Sequence, residues 1–175
     1  TPPQGGSVDD NTATRSVTVG GNTYGATNNG NGTWTLANNT ISPALTTGTY
    51  NVSVTATDTL GNAATDGTTS ELEIDLVIPT ISVNTFLTND TTPPLTGMVS
   101  DPAATIRVDV GVQTNLLATN LGTGNWVLPD GTLSVLSDGG YNVVARATDP
   151  AGHTGTDLTP AELTANTAAP TVAGD

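Results

Sequence analysis

The 175-residue chain contains no cysteine and no lysine. Its cations are three arginines, Arg15, Arg107 and Arg146, and one histidine, His153, set against sixteen acidic residues. Without cysteine there is no disulfide scaffold and no thiol chemistry, and the redox compartment stays open. A formal charge of −13 leaves no basic patch to displace counterions from phosphate, which excludes nucleic acid, and it disfavours direct contact with an anionic membrane surface. No run approaches the roughly 20 consecutive apolar residues of a membrane-spanning helix, and no signal peptide is visible. Aromatics are scarce as well, at 3%. The apolar content of 35% consists mainly of Val, Leu, Ile and Ala in short alternating runs, so the chain folds around small cores.

What is present is a repeat. "ATDTLGN" (56–62) returns as "ATDPAGH" (147–153), ninety-one positions later. The same displacement lays "TPPQGGSVDD" (1–10) on "TPPLTGMVSD" (92–101) and "SVTVGG" on "RVDVGV". With a one-residue insertion and a compensating deletion, "GTWTL" meets "GNWVL" and "TYNVSVTATD" meets "GYNVVARATD". A period this long suits tandem all-β domains rather than a helical solenoid. Alternation of apolar and polar residues in "SVTVG", "IRVDV" and "YNVSVTA" predicts half-buried strands, punctuated by Gly, Asn, Asp and Pro at turns. In the second repeat, strands are expected near 80–86, 94–99, 105–111, 114–119, 125–128, 141–148 and 154–164, a β-sandwich pattern. Tyr50 and Tyr141, each at the corner entering the sixth strand, fit the tyrosine corner of immunoglobulin-type sandwiches, and Trp34 and Trp126 are read as core.

The strings "NDTTPPLTG", "NNGNGTWTL" and "ATDTLGN" resemble the bacterial Ig-like repeats of very large Gram-negative surface adhesins, the RTX-type and biofilm-associated proteins exported by type I secretion. The resemblance implies two immunoglobulin-like β-sandwiches arranged end to end: 1–77, without the strand that "PTISVN" supplies to the second repeat, then 78–167, with 168–175 opening a third. It implies structural extender modules, extracellular, many of which in this family bind calcium at module junctions. The rival reading is a carbohydrate- or protein-binding Ig-like module with its own ligand.

Catalysis is not expected. His153 stands where the first repeat has Asn62, and no nucleophile elbow, phosphate loop or zinc spacing is present. The acidic turns are the candidate sites. Asp101 and Asp149, with counterparts Asp10 and Asp58, fall in loops expected at the N-terminal end of each sandwich, where Asp75 arrives from the preceding repeat. Three carboxylates without a basic partner repel one another unless a hard dication joins them, so Ca²⁺ held by Asp75, Asp101 and Asp149, with Glu73 or Asn84, is expected at the junction. The alternative is that each Asp caps its own turn. A monomer is expected, whose partners are neighbouring modules of the same chain. Weak head-to-tail association through residues 170–174 in crystals or at high concentration is the added expectation, and fraying of both ends is its alternative.

Overall fold

The computed structural model describes residues 2–173; Thr1 and the last two residues of the 168–175 segment lie outside them. All regular structure is β, in two compact units that divide between Leu76 and Val77.

The second unit contains β9 (Ile81–Val83), β10 (Phe86–Thr88), β11 (Leu95–Val99), β12 (Thr105–Val110), β13 (Gln113–Asn120), β14 (Asn125–Leu128), β15 (Gly139–Tyr141), β16 (Val143–Thr148), β17 (Thr154–Asp157) and β18 (Leu163–Ala165). One sheet runs β17-β16-β12-β13-β14-β11-β9 and the other β10-β18-β15. Inward residues alternate along the strands as period-two patterning requires: Ile106, Val108 and Val110 on β12 and Val143, Ala145 and Ala147 on β16 are all buried. Trp126 fills the centre of this core and is 1% exposed.

Three expected strands prove to be pairs. The 80–86 segment breaks at Asn84, so that β9 joins one sheet antiparallel to β11 and β10 joins the other parallel to β18. The 141–148 segment breaks at Asn142, and 154–164 breaks after Asp157, whose carboxylate caps Thr159; Ala161 beyond it adopts φ 64°. Alternating hydrophobicity is the same on both sheets, so a strand that changes sheet leaves its mark only in turn chemistry.

The first unit repeats the framework with β1 (Gln4–Ser7), β2 (Thr14–Val19), β3 (Asn22–Asn28), β4 (Thr33–Leu36), β5 (Gly48–Tyr50), β6 (Ser53–Thr57), β7 (Ala63–Thr65) and β8 (Leu72–Ile74). Its sheets run β1-β4-β3-β2-β6-β7 and β5-β8, around a core of Val17, Val19, Trp34, Leu36, Ile41, Val52, Leu72 and Ile74. Among the described residues it has no counterpart of β9 or β10. The tyrosine corners form in both units: the Tyr141 hydroxyl donates to the Ser137 carbonyl at 2.9 Å and the Tyr50 hydroxyl to the Thr46 carbonyl at 3.0 Å.

Candidate functional site: the acidic turns

Asp10 and Asp58 stand in the turns that follow β1 and β6 of the first unit. Thr14 pairs with Thr57, which brings the two turns to one end of the sheet, close enough that the Asp58 charge opposes ionisation of Asp10. Asp10 is nonetheless held below the ordinary carboxylate range, chiefly because the Thr12 hydroxyl and N–H both donate to Oδ1 at 2.7 Å. Asp58 is held down chiefly by Asn62, whose side-chain amide donates to Oδ2 at 2.8 Å and whose backbone N–H donates to Oδ1 at 2.9 Å.

The second unit repeats the arrangement. Thr105 pairs with Thr148, placing the Asp101 and Asp149 turns at the same end. Asp101 Oδ1 accepts the Ala103 N–H at 2.7 Å. Asp149 is buried, accepting the His153 N–H on Oδ1 at 2.8 Å and lying 2.9 Å from His153 Nδ1 through Oδ2. Burial pushes its carboxyl up, but the bonds and charge from His153 outweigh this and hold it low. The imidazole of His153 and the amide of Asn62 therefore do the same work in the two units, which gives His153 a structural role.

Of the remaining candidates, Glu73 lies exposed on β8 opposite Thr49, and Asp75 follows β8. Asn84 is not with the acidic turns. It follows β9 and bonds Thr96, its N–H donating to the Thr96 carbonyl at 2.9 Å. Because β9 runs antiparallel to β11, that is the opposite end of β11 from Asp101, about 16 Å away at the rise of an extended strand. Within neither unit, among the described residues, do three His, Cys, Asp or Glu side chains converge to hold a metal.

Two further carboxylate pairs hold the frame. Asp157 caps Thr159 and also accepts the Val83 N–H at 2.7 Å; Asp66 caps Thr68 in the first unit. Glu162 and Glu71 accept the Val143 and Val52 N–H groups, each at 2.9 Å. Their signal was in the sequence, since both pairs recur at the ninety-one-residue displacement. No exposed aromatic cluster forms: both Trp are buried, the three Tyr are half-buried, and Phe86 alone is exposed.

A family model described as a bacterial Ig-like domain matches residues 2–76 and again 80–167. No curated protein matches the chain. Among solved structures, the fibronectin(III)-like modules of Clostridium thermocellum CbhA are similar at a TM-score of 0.50 and 12% identity, covering 93% of this chain and 85% of that one. A 1.5-MDa bacterial ice-binding adhesin is similar at 0.42 and 19%, covering 87% of this chain and 53% of that one. The Bacteroides ovatus mixed-linkage glucan protein SGBP-B, in complex with a heptasaccharide, is similar at 0.34 and 15%, covering 94% and 41%. At these identities the likeness concerns the fold alone.

Proposed function

The chain belongs to the bacterial Ig-like domain family, and from that premise we propose that its two modules are structural extender units of a secreted, cell-surface adhesin of the RTX type, exported by type I secretion. One observation carries this reading. The chemistry-bearing side chains that recur between the units (the tyrosine corners, the buried tryptophans, the capping aspartates and the N–H-bonding glutamates) are all engaged in holding their own module. A module built this way contributes reach and solubility, and the charge of −13 keeps neighbouring copies apart. No helix is long and apolar enough to cross a membrane. A glycan-binding module would need exposed aromatic platforms, and Phe86 by itself offers none.

In this proposal Ca²⁺ rigidifies the junction. The donor set suits it, being hard oxygen throughout, from Asp75, Asp101 and Asp149 with Glu73, while Asp10 and Asp58 form the equivalent pair of the first unit. Asp101 keeps Oδ2 outside its turn, and Asp149 must release His153 Nδ1 to bind. Asn84 is left out of this shell because of its place on β11. When bound, the ion would neutralise these carboxylates and restrict the angle between modules. Calcium titration calorimetry on the intact chain and on Asp101→Asn with Asp149→Asn tests the ion. A saturable heat at about 10⁻⁴–10⁻³ M, lost in the double variant, is expected; absence of heat removes the calcium clamp. A glycan array tests the extender role separately, and a saturable carbohydrate hit would overturn it.

A further inference from the structure

The outward face of the seven-stranded sheet carries what the first unit lacks. Arg107 on β12 and Arg146 on β16 stand directly opposite each other, and Leu117 on β13 stands opposite Arg107 on its other side. At the same positions the first unit has Ser16, Thr55 and Gly25, without charge. Arg107 and Arg146 are the arginines that reach solvent: Arg107 is exposed, the Arg146 side chain is 43% exposed, and Arg15 is buried. The strands of this sheet hold two acidic residues, Asp109 and Asp157, and since Asp157 is buried, Asp109 alone faces outward with the arginines.

The one-residue insertion of the second repeat falls at this place. Strands β2 and β3 pair without interruption, whereas the β12–β13 register shifts between Val108 and Val110, so that Thr114 and Asn115 together oppose Asp109. Asn115 takes φ 62°, a conformation that asparagine tolerates better than most side chains. Its N–H donates to Asp109 Oδ1 at 2.7 Å, and its carbonyl accepts Arg107 Nη1 at 3.1 Å. Arg146 Nη1 donates to Asp109 Oδ2 at 2.6 Å. The bulge therefore holds both guanidinium groups around one carboxylate whose two oxygens are taken. Arg107 itself pairs with no carboxylate among the described residues. Like charges directly opposite destabilise a strand pair, and one carboxylate against two guanidinium groups leaves a positive charge unanswered.

We infer that this face docks an extended acidic segment of a partner protein, with one carboxylate set between Arg107 and Arg146 and an apolar side chain resting on Leu117. The planar guanidinium fork matches a carboxylate, and a bulge re-aims side chains on a sheet. Leu117 is 59% exposed. At the spacing of neighbouring strands it lies about 7 Å from the midpoint of the arginine pair, and side chains two apart in an extended segment are also separated by about 7 Å. The pattern recognised is thus an acid and an apolar residue with one residue between them. A single carboxylate answers the one unpaired charge. A dense polyanion or a second copy of this chain meets the repulsion of the whole −13 charge, which a segment with one acid does not. The inference is independent of calcium and of the extender role.

The probe is a blocked pentapeptide, Thr-Leu-Thr-Glu-Thr, added to the intact chain at millimolar concentration, with the arginine Nε–H resonances followed by NMR. The chain has three arginines, so Arg15, buried in the first unit, serves as the internal control. The Arg107 and Arg146 resonances should move saturably while Arg15 stays in place, and the peptide with Gln for Glu should move neither. Arg107→Gln should weaken the response at Arg146 about tenfold, and Leu117→Thr, which keeps both charges, should weaken it severalfold. Equal responses to the Glu and Gln peptides, or none to either, overturn the inference. So does acetate acting at the same concentration as the peptide, which would reduce the site to simple ion pairing. A galacturonate trimer that moves both resonances where the peptide does not also overturns it, because the face would then take an acidic sugar.

Discussion

The hydroxyl of Tyr141 donates to the carbonyl of Ser137, four residues upstream, at 2.9 Å, and Tyr50 makes the same bond to Thr46 at 3.0 Å. Each bond ties the end of a short strand, β15 or β5, to the loop that leads into it. Tyr141→Phe keeps the ring and removes only the hydroxyl, leaving the Ser137 carbonyl to water. The second unit should lose about 1 kcal/mol, with the first unit unchanged, and Tyr50→Phe should do the converse. Urea unfolding followed separately at Trp126 and Trp34 measures it. Equal losses in both units from either variant would mean that the corners do not act locally.

Acid should unfold the chain along a course set by its turn carboxylates. Asp157 is pushed up by burial but held below its ordinary range by the Thr159 and Val83 donors, and Asp10, Asp58, Asp66, Asp138 and Asp149 are also held low. A carboxyl whose folded pKa is depressed stabilises the fold above its unfolded value, about 3.9 for Asp, and that stability is lost as pH falls through the folded pKa. Unfolding midpoints should therefore fall below about pH 4. Asp157→Asn should cost the second unit about 1–2 kcal/mol at neutral pH, since the bonds to a charged acceptor weaken, and should flatten that unit's acid limb. A variant as acid-sensitive as the parent would remove Asp157 from this account.

How much of this was legible in the sequence depended on what a residue's partner was. Trp34 recurs as Trp126 and Tyr50 as Tyr141, each in the same strand context of the repeat, and a residue repeated in the same strand context has one packing solution, so their roles could be read directly. The turn aspartates were legible as a cluster at one end, because strands of known order fix which loops share an end. Asn84 was misplaced for a specific reason: its position depends on β9 pairing antiparallel to β11, and nothing in "PTISVN" states the direction of its partner. The sheet change at Asn142 was hidden because apolar alternation runs through it unbroken, from Tyr141 through Val143 and Ala145 to Ala147. Arg15 gave no warning, since its alternation partner in the second repeat is an isoleucine and only the fold shows the guanidinium buried.

Replacing that arginine should stabilise the first unit. Arg15 is buried and, among the described residues, has no carboxylate partner and leaves Nε–H without an acceptor. Arg15→Ile installs the side chain that the second unit carries at the same place. Removing an uncompensated buried charge in favour of a packed aliphatic group should add about 1–3 kcal/mol to the first unit. Differential scanning calorimetry would register this as a rise in that unit's transition. A loss of stability would mean that the Ala13 and Asp10 carbonyls depend on the guanidinium more than the core is harmed by it.

Gly97 is the residue on which the β9 contact most depends. A methyl group there would stand 1.9 Å from the Ser82 carbonyl and 2.6 Å from Trp126 Nε1, so Gly97→Ala sets itself against the bond that joins those two groups. Backbone lies on one side and a buried ring on the other, leaving β9 as the element that must move. The variant should lose about 2–3 kcal/mol in the second unit, at the upper end of overpacking costs. In a Trp34→Phe background, Trp126 emission should shift to the red as β9 lifts and water reaches the indole. Gly25→Ala provides the control, because a methyl group on Gly25 meets nothing within 4 Å. If Gly97→Ala is as mild as Gly25→Ala and Trp126 emission stays unchanged, then β9 does not seal this edge.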